Sequence, residues 1–415
     1  MKISFLSNVP WALCGYGQIV KNIVPPINEK FPLCFIANYG LQGGYKLENF
    51  WKGITFYGPG EGGFEESMVP NHLRDFGAEC LISIFDVWAW GKLHQELKNN
   101  RMPWVPYVPI DAHDLNPRYK EILRDAFKII PMSQHSEDCL KKYFPEKTLP
   151  HIPPGVDLNI YKPLWKTVEE KNKLKLKLGF TEDTFVITLM GDIKSWRKRW
   201  AENLEAIKIF RERNPHVKIG VYIQTSMRLS NPQDFNIPGL LDEFGLREIT
   251  RAVDTYAYVK GISDEEMCKT YNASDIFLQA SYGEGFGMMF CESAACGTPS
   301  IATNFSSMKQ TVEDGKTGYL VQPLFLGYDQ SLARKAHPDP EEIANKIELI
   351  YRKGSTKYRD ACVEFAQKFD WGKIIEEKWI PTLQKVEEEI GRAGFNPSPP
   401  GEELRKRSEK ITVFG

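Results

Sequence analysis

Short apolar runs alternate with helical patterns along most of this chain, and the rhythm starts twice. In the first part, residues 2–8, 33–39, 80–86, 104–111 and 128–133 read as strands, with helical patterns over 18–30 and 117–126. Uninterrupted apolar strands separated by helices predict a parallel sheet covered on both faces. The proline- and glycine-rich stretch from Leu149 to Gly155 breaks the pattern, as a linker does. A second series follows, with a helix over 171–178, strands over 185–191, 217–224, 257–260, 275–280, 300–303 and 319–321, and a helix over 200–213. The fold class is therefore α/β, with two doubly wound domains over 1–155 and 156–370. After Phe369 an amphipathic stretch runs to about Ile390, with Trp379 and Leu383 on its apolar side. Residues 393–415 are rich in proline, glycine and charge and predict a loosely ordered tail, in which 411–414 is a short apolar segment that could dock.

Composition narrows the function. At 415 residues the chain is long enough for two domains. Its 53 basic and 54 acidic residues leave a formal charge of -1, which gives no general drive toward nucleic acid or an anionic membrane. No run approaches the ~20 apolar residues of a membrane span. The first residues enter a strand pattern and lack a signal peptide's apolar region. None of the eight cysteines forms a C-x-x-C pair, so zinc and thioredoxin-type sites are disfavoured and buried reduced thiols are expected. The expected compartment is the cytoplasm, with contact at a membrane surface left open.

The richest segment runs from Ser281 to Pro299. A strand-like run precedes Glu284, a Gly285-Phe286-Gly287 turn follows, and a helical pattern over 288–296 stops at Gly297-Thr298-Pro299. Glycines let backbone N–H groups approach a ligand, and a helix N-terminus favours an anion. Glu284 in the turn and Glu292 in the helix add two acceptors beside that anion site. A nucleotide sugar, with hydroxyls flanking a phosphate, fits this set.

This Glu-x7-Glu segment resembles the donor-site signature of the retaining glycosyltransferases of family GT4. The resemblance implies the GT-B fold, two Rossmann-like domains facing a central cleft. It implies that Glu284 and the N–H groups of Gly285, Phe286 and Gly287 meet the donor sugar, and that Glu292 binds the ribose hydroxyls. It also implies that the first domain binds the acceptor, that the second binds the nucleotide, and that the last helix, over 371–392, returns to the first domain. Gly155-Val156-Asp157 with Tyr161 and Pro163, the Gly261–Glu266 segment and Tyr271–Asp275 resemble further segments of the family.

Two positions depart from the family pattern. After Gly191, Asp192 stands where the family places an arginine, while Lys198 fits the family lysine that neutralises the donor diphosphate. Lys194 or Arg197 is then expected to supply the missing charge. At the end of the 104–111 strand, Asp111 stands where a histidine is expected and His113 follows two residues later; either would orient an acceptor hydroxyl, and a turn-capping role for Asp111 competes equally.

The loop holding Gly15 and Gly17 resembles the family's glycine loop and would cradle phosphate, with a plain tight turn as the competitor. It is not a dinucleotide fingerprint, since Val20 occupies the third glycine position. No Asp-x-Asp pair and no histidine pair of ligand spacing occurs, so neither a metal nor any other cofactor is expected.

The implied activity is retaining, metal-independent transfer from a nucleoside diphosphate sugar to an acceptor hydroxyl. The acceptor stays open among glycan, lipid-linked, protein and small-molecule classes. Nucleic acid is disfavoured, resting only on the Trp196–Trp200 cluster. The alternatives are a degenerate nucleotide- or glycan-binding module, an epimerase or a phosphorylase. The loops over 40–75 and 86–100 carry no recognisable motif; residues 40–63, with many glycines and aromatics, fit a mobile substrate-facing loop or a plain surface excursion.

Overall fold

Strand β1 (Ile3–Asn8) is buried along its whole length and pairs in parallel with β2 (Leu33–Tyr39) on one side and β5 (Cys80–Ile84) on the other. The computed structural model describes residues 1–60, 64–231, 234–329 and 331–395. It divides into two units, one holding residues 1–109, 115–153 and Trp371 onward, the other 110–114 and 154–370.

In the first unit the described strands form a seven-stranded sheet ordered β3-β4-β2-β1-β5-β6-β7, with β3 (Lys46–Trp51), β4 (Ile54–Tyr57), β6 (Trp104–Val108) and β7 (Ile130–Pro131). Strand order reverses at β1, which makes the loop after it a switch point of the sheet. That loop leads into the helix Gly15–Asn28. Cys14 caps the helix, its Sγ accepting from the Gly17 N–H and from Asn8. A Cβ on Gly17 would lie 2.1 Å from the Ala12 carbonyl oxygen, so this glycine answers a close backbone approach. Residues 46–57, expected as part of a mobile loop or surface excursion, instead form the antiparallel pair β3–β4 that extends the sheet beyond β2. β3 has no buried position, which hid it. In the returning segment Trp379 is fully buried, with its ring 5.0 Å from Tyr107 and 6.5 Å from Phe5. The helix Ile380–Arg392 buries Leu383, Val386 and Ile390.

The second unit carries an all-parallel sheet ordered β10-β9-β8-β11-β12-β13. Its strands are β8 (Phe185–Met190), β9 (Ile219–Gln224), β10 (Thr250–Ala252), β11 (Ile276–Gln279), β12 (Ser300–Thr303) and β13 (Gly318–Val321). The expected strand over 257–260 is not there. Those residues lie in the helix Thr255–Lys260, started by the Asp254 carboxylate accepting the Ala257 N–H. The edge strand is the half-exposed Thr250–Ala252, which pairs with β9. A separate antiparallel hairpin, β14 (Pro323–Tyr328) and β15 (Arg334–Pro338), follows β13.

Seven of the eight cysteines are buried, and Cys14 is the partly exposed one. No helix among the described residues is long and apolar enough to cross a membrane. The expected tail lies, from residue 396 on, outside the described residues.

Candidate active site

Strand β11 ends at Gln279, and the chain turns through Ser281–Gly287 into the helix Met288–Ala295. Gly287 precedes that helix with φ 91°, a left-handed conformation, and no side chain caps the helix. The turn is held from below. Ser306 Oγ accepts the Glu284 N–H (3.1 Å), while Ser307 Oγ donates within 2.8 Å of the Glu284 and Phe286 carbonyls. Phe286 is buried with its ring 5.7 Å from Phe369, so its side chain anchors the turn and only its backbone is left for a ligand.

Glu284 is 4% exposed and lies among cations. Lys198 Nζ stands 3.0 Å from one carboxylate oxygen, which also accepts from Ser281 Oγ at 2.7 Å. Arg197 donates to the other oxygen and to the Gly283 carbonyl. The cations reach Glu284 because the 196–199 turn is pinned to the end of β11. The Gln279 and Asn203 amides donate to the Lys198 carbonyl, and the Asn203 oxygen accepts the Ala280 N–H. Gly191, at φ 149°, makes room: a Cβ there would meet the Lys198 stem at 2.8 Å. Burial, with the Arg197 charge adding to it, pushes the Lys198 ammonium well below the ordinary lysine value.

Glu292, partly buried on the helix, accepts from the Tyr271 hydroxyl at 2.9 Å. Burial pushes its carboxyl up to about 7; the Tyr271 hydrogen bond works against this and Asp264 adds to it.

At the two positions that depart from the family pattern, Asp192 is exposed and accepts the Lys194 N–H, and the Lys194 side chain is exposed as well. Arg197, rather than Lys194, joins Lys198 at Glu284. Asp111 meets Lys335 of β15 at 2.5 Å. Burial pushes the Asp111 carboxyl up, but Lys335, with Arg197 behind it, outweighs this and holds it below the usual carboxylate range. His113 is exposed, its N–H bonded to the Arg334 carbonyl. Gly15 and Gly17 belong to the first unit, at the head of its opening helix. Sequence reasoning did not single out Tyr271, Asn203, Ser306, Ser307 or Lys335 as parts of this site, since each acts across a long stretch of chain. Gly283 is also required: a Cβ there would lie 2.1 Å from the Asp111 carbonyl oxygen. Gly283→Ala is expected to cost about 1–3 kcal/mol of stability, read as a lowered midpoint in thermal unfolding.

Residues 170–369, nearly the whole second unit with this site, match the family model described as glycosyl transferases group 1. The second unit belongs to the group 1 glycosyl transferases. Curated relatives of this chain include the D-inositol 3-phosphate glycosyltransferase of Paenarthrobacter aurescens. It is 30% identical over 169 residues, covering 41% of this chain and 38% of the relative. The enzyme of the same name from Corynebacterium jeikeium is 27% identical over 248 residues, covering 59% and 52%. The match thus spans about two fifths to one half of these relatives. Among solved structures, Anabaena HepE in complex with UDP and glucose superposes with a TM-score of 0.69 at 20% identity, covering 93% of this chain and 100% of that one. Sucrose-phosphate synthase from Thermosynechococcus elongatus gives 0.70 at 18% identity, covering 95% and 100%. The chain has the GT-B fold.

Proposed function

We propose that this chain transfers a glycosyl group from a nucleoside diphosphate sugar to an acceptor hydroxyl, with retention of anomeric configuration and without a metal. The observation that carries the reading is Glu284, held in a glycine turn at a helix start between Lys198 and Arg197. In the proposed step the bond from the anomeric carbon to the diphosphate oxygen breaks, and its electron pair goes to the diphosphate. The acceptor oxygen bonds to the anomeric carbon on the same face, and its proton passes to the departing phosphate oxygen. Lys198 and Arg197 stabilise the developing negative charge, the work that a metal does elsewhere. Glu284 accepts from sugar hydroxyls. Glu292, with Tyr271 beside it, accepts from the ribose. The incoming diphosphate also favours the protonated form of Lys198, which burial otherwise disfavours.

The test is a melting-shift panel of UDP, GDP, ADP, TDP and CMP and their sugars in EDTA, run on the chain and on Glu292→Ala. UDP comes first because Anabaena HepE is solved with it. A selective shift that the variant loses supports the nucleotide site, and turnover in EDTA supports metal independence. Binding without hydrolysis or transfer would favour a binding module, for which the exposed Asp192 is the one structural argument.

A further inference from the structure

Lys335 sits on β15, in the hairpin that follows β13. Its side chain is 6% exposed, yet its ammonium meets Asp111, whose side chain is 34% exposed. Asp111 is the more exposed residue of the pair, and the Lys335 ammonium lies 5.6 Å from the centre of the Tyr282 ring.

Backbone bonds tie these parts together. The Ala336 N–H donates to the Tyr282 carbonyl (2.9 Å), the His113 N–H to the Arg334 carbonyl (2.9 Å), and the Tyr282 N–H to the Arg197 carbonyl (3.1 Å). The Asp111 carbonyl rests where Gly283, the residue before Glu284, leaves no room for a Cβ. The hairpin thus clamps segment 110–114 against the turn that presents Glu284, and Lys335 is the charged contact in the clamp.

We propose that Lys335 is a positioning residue for transfer: it fixes Asp111 beside the Arg197–Glu284 pair, where the carboxylate orients the incoming acceptor by accepting from its hydroxyl before that proton passes to the departing phosphate oxygen. This rests on the transferase reading. The charged and titratable groups facing Asp111 are Lys335 from the hairpin, Arg197 from the turn before the Trp200–Arg213 helix, and Tyr282 from the glycine turn. Without Lys335, only Arg197 and a backbone hydrogen bond are left to oppose the burial that pushes the Asp111 carboxyl up. The carboxylate then takes up a proton at higher pH, loses its charge and becomes a weaker acceptor.

Water is the smallest acceptor hydroxyl, so hydrolysis of the nucleotide sugar that gives the largest melting shift is the probe. Rates are measured from pH 5 to 9 for the chain, Lys335→Met, Lys335→Arg, Asp111→Asn and the Met/Asn double variant, with nucleotide affinity measured by calorimetry. Lys335→Met should lose at least about tenfold in kcat with KM for the sugar nucleotide nearly unchanged. Its acid limb should move up by about one pH unit or more. Lys335→Arg should recover most of the rate. Asp111→Asn should be as slow as Lys335→Met but lack the acid limb, and the double variant should be no slower than either.

A Lys335→Met profile parallel to that of the unaltered chain, or full turnover in Asp111→Asn, would overturn the role while leaving the transferase reading intact. Failure of the unaltered chain to bind or cleave any sugar nucleotide would overturn both. If Lys335→Met does not fold, the acid limb of Asp111→Asn decides: its persistence sinks the proposal and its loss supports it.

Discussion

Lys198→Met is expected to slow glycosyl transfer, or donor hydrolysis, by about a hundredfold or more, while nucleotide affinity changes by less than about threefold. Methionine keeps most of the buried stem that passes Gly191 and removes only the ammonium. Glu284 retains Arg197, so the carboxylate is not left unpaired, and the stability loss should fall below the ~3–5 kcal/mol of a fully orphaned buried charge. Arg197 cannot substitute fully, because it approaches the other carboxylate oxygen and is a third exposed. Single-turnover rates beside calorimetric affinities separate the two effects. An unchanged kcat would remove Lys198 from the chemistry, and a parallel collapse of affinity would make it a general binding residue.

Glu292→Gln should raise stability and weaken nucleotide binding together. The folded-state value of about 7 lies above the ordinary carboxyl value of 4.5. Below 4.5 the carboxyl is neutral in both states and costs nothing. Between 4.5 and 7 the folded chain holds a proton that the unfolded chain has released, so stability falls as pH rises, and above 7 the full penalty is present. The difference corresponds to at most about 3 kcal/mol. Glutamine removes that cost and still accepts from Tyr271. The variant should therefore gain roughly 1–3 kcal/mol at pH 8 and nothing near pH 4.5.

Nucleotide affinity should fall about tenfold or more, since ribose hydroxyls lose an ionised acceptor. Binding to the unaltered chain below pH 7 should release a proton, visible as calorimetric heats that depend on the buffer's ionisation enthalpy. Equal heats in all buffers would show that the ligand does not draw on the Glu292 charge. The two outcomes together would mark Glu292 as an exchange of stability for function.

Much of the architecture was readable where pattern and burial coincide. Strands 33–39 and 300–303 and helix 200–213 appear at the expected residues, because each is bounded by glycine, proline or a polar turn. Residues 257–260 misled because Tyr258 and Val259 favour strands, while a capping aspartate three positions earlier starts a helix on the surface. The β14–β15 hairpin escaped because Leu324, Phe325 and Tyr328 are exposed and show no inward face. At the site, the spacing of Glu284 and Glu292 was visible in one stretch of chain. The choice of Arg197 over Lys194 was not, since it depends on the direction of a turn pinned by Asn203 and Gln279. Nor was Lys335, more than two hundred positions from the Asp111 it holds.

The distribution of thiols offers a handle of another kind. Cys14 alone among the eight cysteines has surface access, and it heads the opening helix of the first unit. A small thiol-reactive fluorophore should therefore label the native chain once, and its emission would report on the glycine loop as nucleotide is added. The seven buried thiols would stay silent until the chain unfolds, so the same reagent, counted by mass, would time denaturation.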